Sequence, residues 1–241
     1  MTWKTAITKI SDTGEVVRGH DLQDLVQTKS FVEVIFLLLK GELPNKKEAS
    51  MMNALLVACV DHGVGAPSAT VARTVASTGN SLHTAVGAGI LTLGELHGGA
   101  IEGAAKFFQE NVGEKNVENL LKELKDKKVR VPGFGHKVLA HDHRTDALFT
   151  AAKETGFYDK HCKFAVETEE VLNKISSKKL PLNIDGAMAA IISDMGFDWK
   201  VAKGFFIIGR VPGLVAHVCE QMMSGEGVKR IDEGEIEYVG K

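Results

Sequence analysis

The chain has 241 residues, with 29 lysines and arginines against 31 aspartates and glutamates, and 44% of its residues are apolar. This length suits one large domain or two small ones with a sizeable core. The near balance of charge argues against binding to nucleic acid or to an anionic membrane surface. The longest apolar run, 31–39, contains Glu33 and is too short to span a bilayer.

The three cysteines are Cys59, Cys162 and Cys219. They are odd in number and show no short pairing pattern, which is typical of free thiols in a reducing compartment. The amino terminus shows no signal-peptide pattern. We therefore expect a cytoplasmic protein with neither a membrane nor a nucleic-acid partner.

The amino-terminal segment predicts a small β-hairpin followed by capped helices. Two β-favouring runs, 5–10 and 15–18, flank a Ser-Asp-Thr-Gly turn. Each of the next predicted helices begins after a residue whose side chain favours the N-cap position. These caps are Asp21, Ser30 and Asn45. The helices that follow them are expected to end at about Gln27, at Gly41 and at about Asp61.

From Pro67 to Leu93 the composition shifts toward Ala, Gly, Ser and Thr, while the apolar spacing stays helical. The pattern is interrupted near Gly79 and Asn80, which predicts a pair of helices. Small side chains let two backbones approach closely, so this pair is expected at a domain centre or a subunit interface. We therefore expect at least a homodimer, since closed twofold dimers are the commonest oligomers.

The rest of the chain continues the helical pattern. The predicted helices begin after Gly99 and then cover 117–124, 145–155, 160–176, 183–195 and 199–223, the last with a kink at Pro212. The charged tail, 230–241, holds one strand at most. No repeat and no alternation of strands with helices occurs, so we predict an all-α fold with a small amino-terminal β-hairpin.

Three short glycine-containing motifs, at 94–99, 131–136 and 182–186, each carry one ionisable side chain. Glycine permits positive φ and a close approach of the backbone to a ligand. His97 precedes a predicted helix, whose N-terminus would lower the pKa of the imidazole and keep it neutral. A neutral imidazole can donate a hydrogen bond to a carbonyl oxygen and stabilise its enolate.

Asp185 and His136 supply the remaining chemistry. Asp185 lies in the first turn of an apolar helix, where a carboxyl group can remove or return a proton on carbon. His136 could bond a second carbonyl or hydroxyl group. One acid–base group, Asp185, and two hydrogen-bond donors, His97 and His136, suit the removal of a proton beside a carbonyl group. The carbanion would then attack a second carbonyl group. The same groups suit the reverse reaction, in which that C–C bond is cleaved.

Each of these residues also has a purely structural explanation. A glycine-rich turn need not be a site, and Asp185 could be an ordinary first-turn charge. His141 and His143 resemble a metal-binding pair, which with Asp185 would suit a metal hydrolase. Short His-x-His segments are more often solvated, so we assign no metal.

The order of the motifs resembles that of the citrate synthases. The segments that carry the resemblance are Asp-His-Gly at 61–63, Leu-His-Gly-Gly-Ala at 96–100, Pro-Gly-Phe-Gly-His at 132–136 and Asn-Ile-Asp-Gly at 183–186. Further similar segments at 18–22, 41–44 and 237–240 extend it over nearly the whole chain. The chain looks short for a citrate synthase and resembles citryl-CoA lyases and the citrate-synthase-like module of ATP citrate lyase.

The resemblance implies a fold and a set of roles. It implies one citrate-synthase-like unit, 1–241, with a larger helical part at about 1–110 and 180–241 and a smaller CoA-side part at about 111–179. It implies that His97 binds the thioester carbonyl of acetyl-CoA, that Asp185 exchanges the methyl proton, and that His136 binds the oxaloacetate carbonyl. The implied dicarboxylate-binding residues are His62, Arg144, Arg210 and, from the partner in a dimer, Arg230. The implied CoA-binding residues are Pro132, Gly133, Phe134, Gly135, Lys137 and Lys179.

The implied reaction is the reversible cleavage of citryl-CoA to acetyl-CoA and oxaloacetate, with the CoA thioester as substrate and no tightly bound cofactor. Two alternatives remain open. One is a short citrate synthase, which makes citrate and CoA from acetyl-CoA, oxaloacetate and water. The other is a non-catalytic module that binds CoA or assembles a larger lyase complex. A separate citryl-CoA synthetase is a candidate partner.

Overall fold

The computed structural model describes residues 2–12, 14–135 and 142–240. Within these residues the chain forms eleven α-helices and one small antiparallel sheet. The strands are β1 (Thr8–Ser11), β2 (Gly14–Val17) and β3 (His20–Asp21), in the order β1-β2-β3. The predicted hairpin is confirmed and has a third strand, because Arg18 and Gly19 adopt positive φ and turn the chain back.

The first three helices are α1 (Leu22–Thr28), α2 (Phe31–Lys40) and α3 (Lys46–Ala58). All three predicted caps accept backbone N–H groups, and Ser30 and Asn45 each form a capping box with a glutamate three residues later. Helix α3 ends at Ala58 rather than at about Asp61. The shorter end frees the segment 59–66 to form a loop at the site described below.

The small-residue helices are α4 (Pro67–Ser77) and α5 (Leu82–Leu91), with a break at Gly79, where φ is +85°. They pack backbone to backbone, because a Cβ added to Gly89 would lie only 2.8 Å from the Ser68 carbonyl oxygen. Helix α11 (Ala202–Met223) completes this layer with Leu214. The expected close packing of this pair is therefore confirmed within the chain itself.

Five further helices enclose the main core. They are α6 (Ala100–Asn111), α7 (Val117–Asp126), α8 (His143–Thr155), α9 (Lys160–Ile175) and α10 (Ile184–Asp194). Helix α10 is the innermost, since residues 186–193 are all buried and the helix contacts α6, α8 and α9. Its first turn is thereby held rigidly inside the protein.

Helix α11 is long and apolar enough, by length and composition, to cross a membrane. It nevertheless contacts α3, α4, α5 and α6 and carries the buried Arg210 near its middle, as is typical of a core helix in a globular protein. The tail, 224–240, follows as an exposed segment whose only regular element among the described residues is a 3₁₀ turn, Glu233–Glu235.

Candidate active site

His97 caps a helix other than the one that follows it in sequence. The Ser68 N–H, in the first turn of α4, donates to Nε2 of His97 at 3.2 Å, and the Ser68 hydroxyl lies 3.0 Å from the same nitrogen. No side chain of the preceding loop caps α4. The imidazole therefore satisfies one of the N–H groups that every helix N-terminus leaves without an internal partner.

This contact fixes the tautomer of His97. A backbone N–H can only donate, so Nε2 must hold a lone pair and the neutral ring carries its proton on Nδ1. Burial lowers the pKa of His97, and the positive charges of Arg210 and His62 lower it further. The predicted neutral imidazole is supported, with an Nδ1–H that can donate to a carbonyl oxygen.

Asp185 occupies the first turn of α10, after the N-cap Asn183, whose side chain accepts the Gly186 N–H at 3.1 Å. The Oδ1 atom of Asp185 is buried and has no hydrogen-bond partner within the described ranges. Burial raises the pKa of Asp185, although the charges of Arg144 and Arg210 oppose the shift. The result is a carboxyl group that keeps its proton to higher pH than an ordinary aspartate does.

Arg144 is held by a buried carboxylate. Nε and Nη2 of Arg144 donate to the two oxygens of Asp142 at 3.0 and 2.9 Å, in a bidentate pair. Burial alone would raise the pKa of Asp142, but these bonds and the charge of Arg144 bring it below its usual value. Asp142 also caps α8 and accepts the Ile184 N–H at 3.3 Å, so one carboxylate joins the starts of α8 and α10.

Arg210 is buried and completes the positive wall of the site. Its Nε donates to the Cys59 carbonyl oxygen at 2.8 Å, and its guanidinium lies 4.8 Å from the ring centre of Phe206. Its charge therefore acts on both His97 and Asp185, while that of His62 acts on His97 and that of Arg144 acts on Asp185.

The loop before His136 is fastened to the start of α10. Gly135 N donates to the Pro181 carbonyl oxygen at 2.7 Å, and Asn183 N donates to the Gly133 carbonyl oxygen at 3.0 Å. A Cβ added to Gly133 would lie 2.8 Å from Gly186 Cα, so only glycine permits this approach. The loop therefore leads the chain past Asp185, while His136 and Lys137 themselves lie outside the described residues.

The remaining CoA-binding candidates differ in exposure. The ring of Phe134 is buried and meets Phe108 edge to face, so a ligand would contact the backbone of this loop rather than that ring. Pro132 packs against Gly103, whose added Cβ would lie 3.1 Å from Pro132 Cγ. Lys179 is exposed on the facing loop.

A pocket of about 240 Å³ opens beside this loop, between α7 and α9. Its walls are apolar, and three cationic side chains line it: Lys125, Lys128 and Arg130. Lys125 Nζ also donates to the Ile175 carbonyl oxygen at 2.6 Å. An anionic ligand with an apolar or aromatic part would suit this pocket.

Arg230 is not joined to this cluster by any contact among the described residues. It is exposed, and the adjacent Lys229 donates its backbone N–H to Ser77 at the far end of α4. Ser77 is nine residues from Ser68, or roughly 13 Å along the helix axis at about 1.5 Å per residue. Within one chain, Arg230 is therefore remote from His97.

The described residues contain no group of three or more His, Cys, Asp or Glu side chains arranged to hold a metal ion. Of the residues considered for a metal, His141 lies outside the described ranges, and His143 is the exposed first residue of α8. The carboxylate between them, Asp142, is already committed to Arg144.

The comparisons with known proteins agree with this geometry. The family model "Citrate synthase, C-terminal domain" matches residues 1–52 and 44–231. The chain belongs to the citrate synthase family. Citrate synthase 2 of Bacillus subtilis is 34% identical over 190 residues, which are 76% of this chain and 50% of that protein. The motif-based resemblance and the predicted all-α, citrate-synthase-like fold are confirmed.

The solved structures that match the full chain include two lyases. Citryl-CoA lyase from Hydrogenobacter thermophilus is 49% identical with a TM-score of 0.94, and the match covers 100% of this chain and 96% of that one. A mutant ATP citrate lyase from Methanosaeta concilii, in complex with (3S)-citryl-CoA, is 25% identical with a TM-score of 0.90, over 100% of this chain and 42% of that one. The chain thus spans about half of the curated citrate synthase and nearly all of the citryl-CoA lyase.

Sequence reasoning missed several residues of this candidate site. Ser68 was hidden in a small-residue helix, and its contact with His97 joins segments far apart in the chain. The contact of Asp142 with Arg144 was not predicted, although its place two residues before Arg144 is a signal for the pair. The cationic pocket residues lie in the charged run that ends just before the 131–136 motif, and that run was the available signal.

Proposed function

We propose that this protein is a citryl-CoA lyase, which cleaves citryl-CoA to acetyl-CoA and oxaloacetate. The observation that carries the proposal is the 49% identity to the Hydrogenobacter thermophilus citryl-CoA lyase over 100% of this chain and 96% of that one. The Bacillus subtilis citrate synthase, in contrast, is about twice as long as the matched segment. The site geometry supports the same reaction.

Cleavage begins at the hydroxyl group of the citryl unit. In the proposed role, His136 accepts the hydroxyl proton, and the oxygen then forms the new carbonyl of oxaloacetate. The electron pair of the broken C–C bond passes to the CH₂ group beside the thioester, giving the enolate of acetyl-CoA. The Nδ1–H of His97 stabilises the enolate oxygen, because it is a neutral donor fixed in place by Ser68.

Asp185 completes the reaction by protonating the enolate carbon, which becomes the methyl group of acetyl-CoA. A general acid must hold its proton until this step, and the raised pKa of Asp185 favours that state. His136 then loses its proton and Asp185 regains one, so the enzyme returns to its starting state. In the reverse direction, the Asp185 carboxylate would remove the methyl proton.

Positive side chains would bind the carboxylates of the citryl unit. Arg210 and Arg144 lie within electrostatic reach of Asp185, and His62 lies within reach of His97. Arginine binds carboxylates with two parallel hydrogen bonds, which fixes their orientation. The Asp142 carboxylate already uses Nε and Nη2 of Arg144, so Asp142 aims this guanidinium and leaves its remaining donors for the substrate.

The CoA part of the substrate would lie along the 131–135 loop. The backbone of Pro132, Gly133 and Gly135 would contact the adenine, and Lys137 and Lys179 would meet the phosphates. The cationic pocket formed with Lys125, Lys128 and Arg130 adds positive charge on the same side. The substrate is thus a CoA thioester, and no tightly bound cofactor is needed for these steps.

A single-substrate assay with citryl-CoA tests the proposed activity. Oxaloacetate is followed by its coupled reduction, and free thiol is followed by a colour reagent. We expect oxaloacetate to form faster than free CoA, because C–C cleavage needs only the acid–base and donor groups above. Thiol release without oxaloacetate would mean a citrate synthase, and binding of citryl-CoA without either product would mean a non-catalytic module.

We further propose that the protein is a cytoplasmic homodimer or higher oligomer, with a citryl-CoA synthetase as a partner that supplies its substrate. The exposed face of α5 supports assembly, since Leu91 is 88% exposed and the space around Gly87 is open. Arg230, remote from His97 in its own chain, would act in the site of the second copy. Sedimentation should therefore show no monomer, and a fully active monomer would contradict this assembly.

A further inference from the structure

We propose that His217 is a positioning residue, which acts through Asp61 to orient His62 toward the dicarboxylate part of the substrate. The Nε2 atom of His217 lies 3.0 Å from Oδ1 of Asp61, and the His217 side chain is largely buried. Asp61 immediately precedes His62 in the 59–66 loop. The inference rests on the proposed binding of a dicarboxylate at His62.

Helix α11 fastens the His62 loop along one of its faces. Arg210, Gly213 and His217 follow one another at spacings of three and four residues, so all three face the same side of the helix. Arg210 holds the Cys59 carbonyl oxygen at 2.8 Å. A Cβ added to Gly213 would lie 2.3 Å from the Val60 carbonyl oxygen, so α11 contacts the loop backbone directly there.

The Asp61 carboxylate connects helix α11 to Gly63, the residue that follows His62. Its Oδ1 atom meets His217, while its Oδ2 atom accepts the Gly63 N–H at 2.9 Å. Gly63 has a φ of +75°, a conformation that turns the chain sharply after His62. Removing the His217 contact would free the carboxylate to rotate, and the turn that aims His62 would lose its support.

The hydrogen-bond direction is set by the charge of Asp61. Burial alone would raise the pKa of Asp61, but bonds from the Gly63 and His62 backbone and from His217 bring it below its usual value. An ionised carboxylate only accepts hydrogen bonds, so Nε2 of His217 is the donor. Glutamine places an amide N–H near the Nε2 position, whereas phenylalanine fills the space without a donor.

The test compares His217→Phe, His217→Gln and Asp61→Asn by calorimetric titration with oxaloacetate and, separately, with CoA. We expect His217→Phe to weaken oxaloacetate binding by about tenfold, the equivalent of roughly 1.4 kcal/mol, and to change CoA binding by less than about twofold. His217→Gln should restore oxaloacetate binding to nearly the wild-type value. If His217→Phe does not fold, Asp61→Asn should show the same selective loss.

His161 provides a matched control, because its Nδ1 atom pairs with Asp194 at 2.9 Å elsewhere in the fold. Glutamine does not replace an Nδ1 donor, so His161→Gln should lower the melting temperature without a selective loss of oxaloacetate binding. Equal weakening of both ligands in His217→Phe, no weakening, or a failure of His217→Gln to restore binding would overturn the inference. Wild-type protein that binds oxaloacetate but does not cleave citryl-CoA would refute the lyase and leave the His217 test intact.

Discussion

His97 and Asp185 occupy similar places in the fold and differ in how their polar atoms are satisfied. Each lies at the N-terminal end of a helix, where unpaired N–H groups create a positive potential. Nε2 of His97 accepts the Ser68 N–H, whereas Oδ1 of Asp185 has no partner among the residues that the structure describes. The imidazole of His97 is held by the helix that it caps, whereas Oδ1 of Asp185 is left available for a hydrogen bond to a ligand.

Burial favours the uncharged form of both side chains, since it lowers the pKa of His97 and raises that of Asp185. The functional difference between His97 and Asp185 comes from their hydrogen bonds. Ser68 fixes the ring of His97 in one tautomer, which suits a donor that must not give up its proton. The unpaired oxygen of Asp185 suits a group that must give and take one. The following tests change one side of this comparison at a time.

Replacing Asp185 should have the largest effect. Asp185→Asn keeps the shape of the side chain and removes its acid–base function, which costs about a hundredfold to ten-thousandfold in rate. We expect citryl-CoA cleavage to fall by this factor, measured as oxaloacetate formation, while calorimetric CoA binding and the circular dichroism spectrum remain unchanged. Near-normal turnover would remove Asp185 from the mechanism.

Replacing His97 should have the next largest effect. His97→Gln retains a polar group near Nε2 and loses the Nδ1–H donor, so the enolate oxygen is left without it. Loss of one such donor costs about a hundredfold to a thousandfold in kcat. His97→Asn retains an N–H near the Nδ1 position and should lose less. If His97→Asn were the slower of the two, the assignment of Nδ1 as the donor would be wrong.

Replacing Ser68 should have a small effect. Ser68→Ala removes the hydroxyl contact with His97 but keeps the backbone N–H, so the tautomer should survive. The expected loss in kcat is between about twofold and tenfold, as for a single neutral hydrogen bond. Thr74→Ala, on the same helix, should have no effect on kcat, because that hydroxyl donates to the Thr70 carbonyl oxygen within α4 instead. If kcat fell as far in Ser68→Ala as in His97→Gln, the Ser68 hydroxyl, and not the backbone N–H, would be the group that fixes the His97 tautomer.

The smallest expected effect is on thermal stability. The pKa values of Asp185 and Asp142 are shifted in opposite directions, so replacing each residue should change the melting temperature with opposite sign. The folded pKa of Asp185 is raised, so its contribution to stability is present below the unfolded value of about 4 and is lost as the pH rises through the folded value. Asp185→Asn should therefore melt a few degrees above wild type at neutral pH, and the gap should close toward pH ~4.

Asp142 is the matched case with the reverse sign. Its folded pKa is lowered, so its contribution is present above the unfolded value and is lost as the pH falls through the folded one. Asp142→Asn should melt below wild type at neutral pH, and its deficit should shrink on acidification. Thermal melts across this pH range that showed the same sign for both variants would contradict the assigned shifts.

The sequence predicted most of the fold because helix starts are encoded locally. Asp21, Ser30, Asn45 and Asn183 cap the helices that directly follow them, and the structure shows each cap in place. The third strand was missed, since its two residues carry no periodic signal. The early end of α3 was also missed, because the segment that follows it is held by α11 from the other end of the chain.

The candidate site was predictable in its residues but not in its contacts. His97 and Asp185 stand in recognisable glycine-containing motifs, and the positive charge of Arg210 acts on both of them. The helix that His97 caps could not be read from its own neighbourhood, because Ser68 belongs to an earlier helix. The bond from Ile184 to Asp142 likewise joins two helix starts that only tertiary packing brings together.

The contact between Gly133 and Gly186 joins the 131–135 loop rigidly to the first turn of helix α10. A Cβ on Gly186 would lie 2.4 Å from the Gly133 carbonyl oxygen, so no side chain separates the two backbones. Main-chain hydrogen bonds on either side prevent them from sliding. A ligand that displaces the loop must therefore displace the first turn of α10 with it. Binding at the loop and the position of the Asp185 carboxyl group are thus coupled.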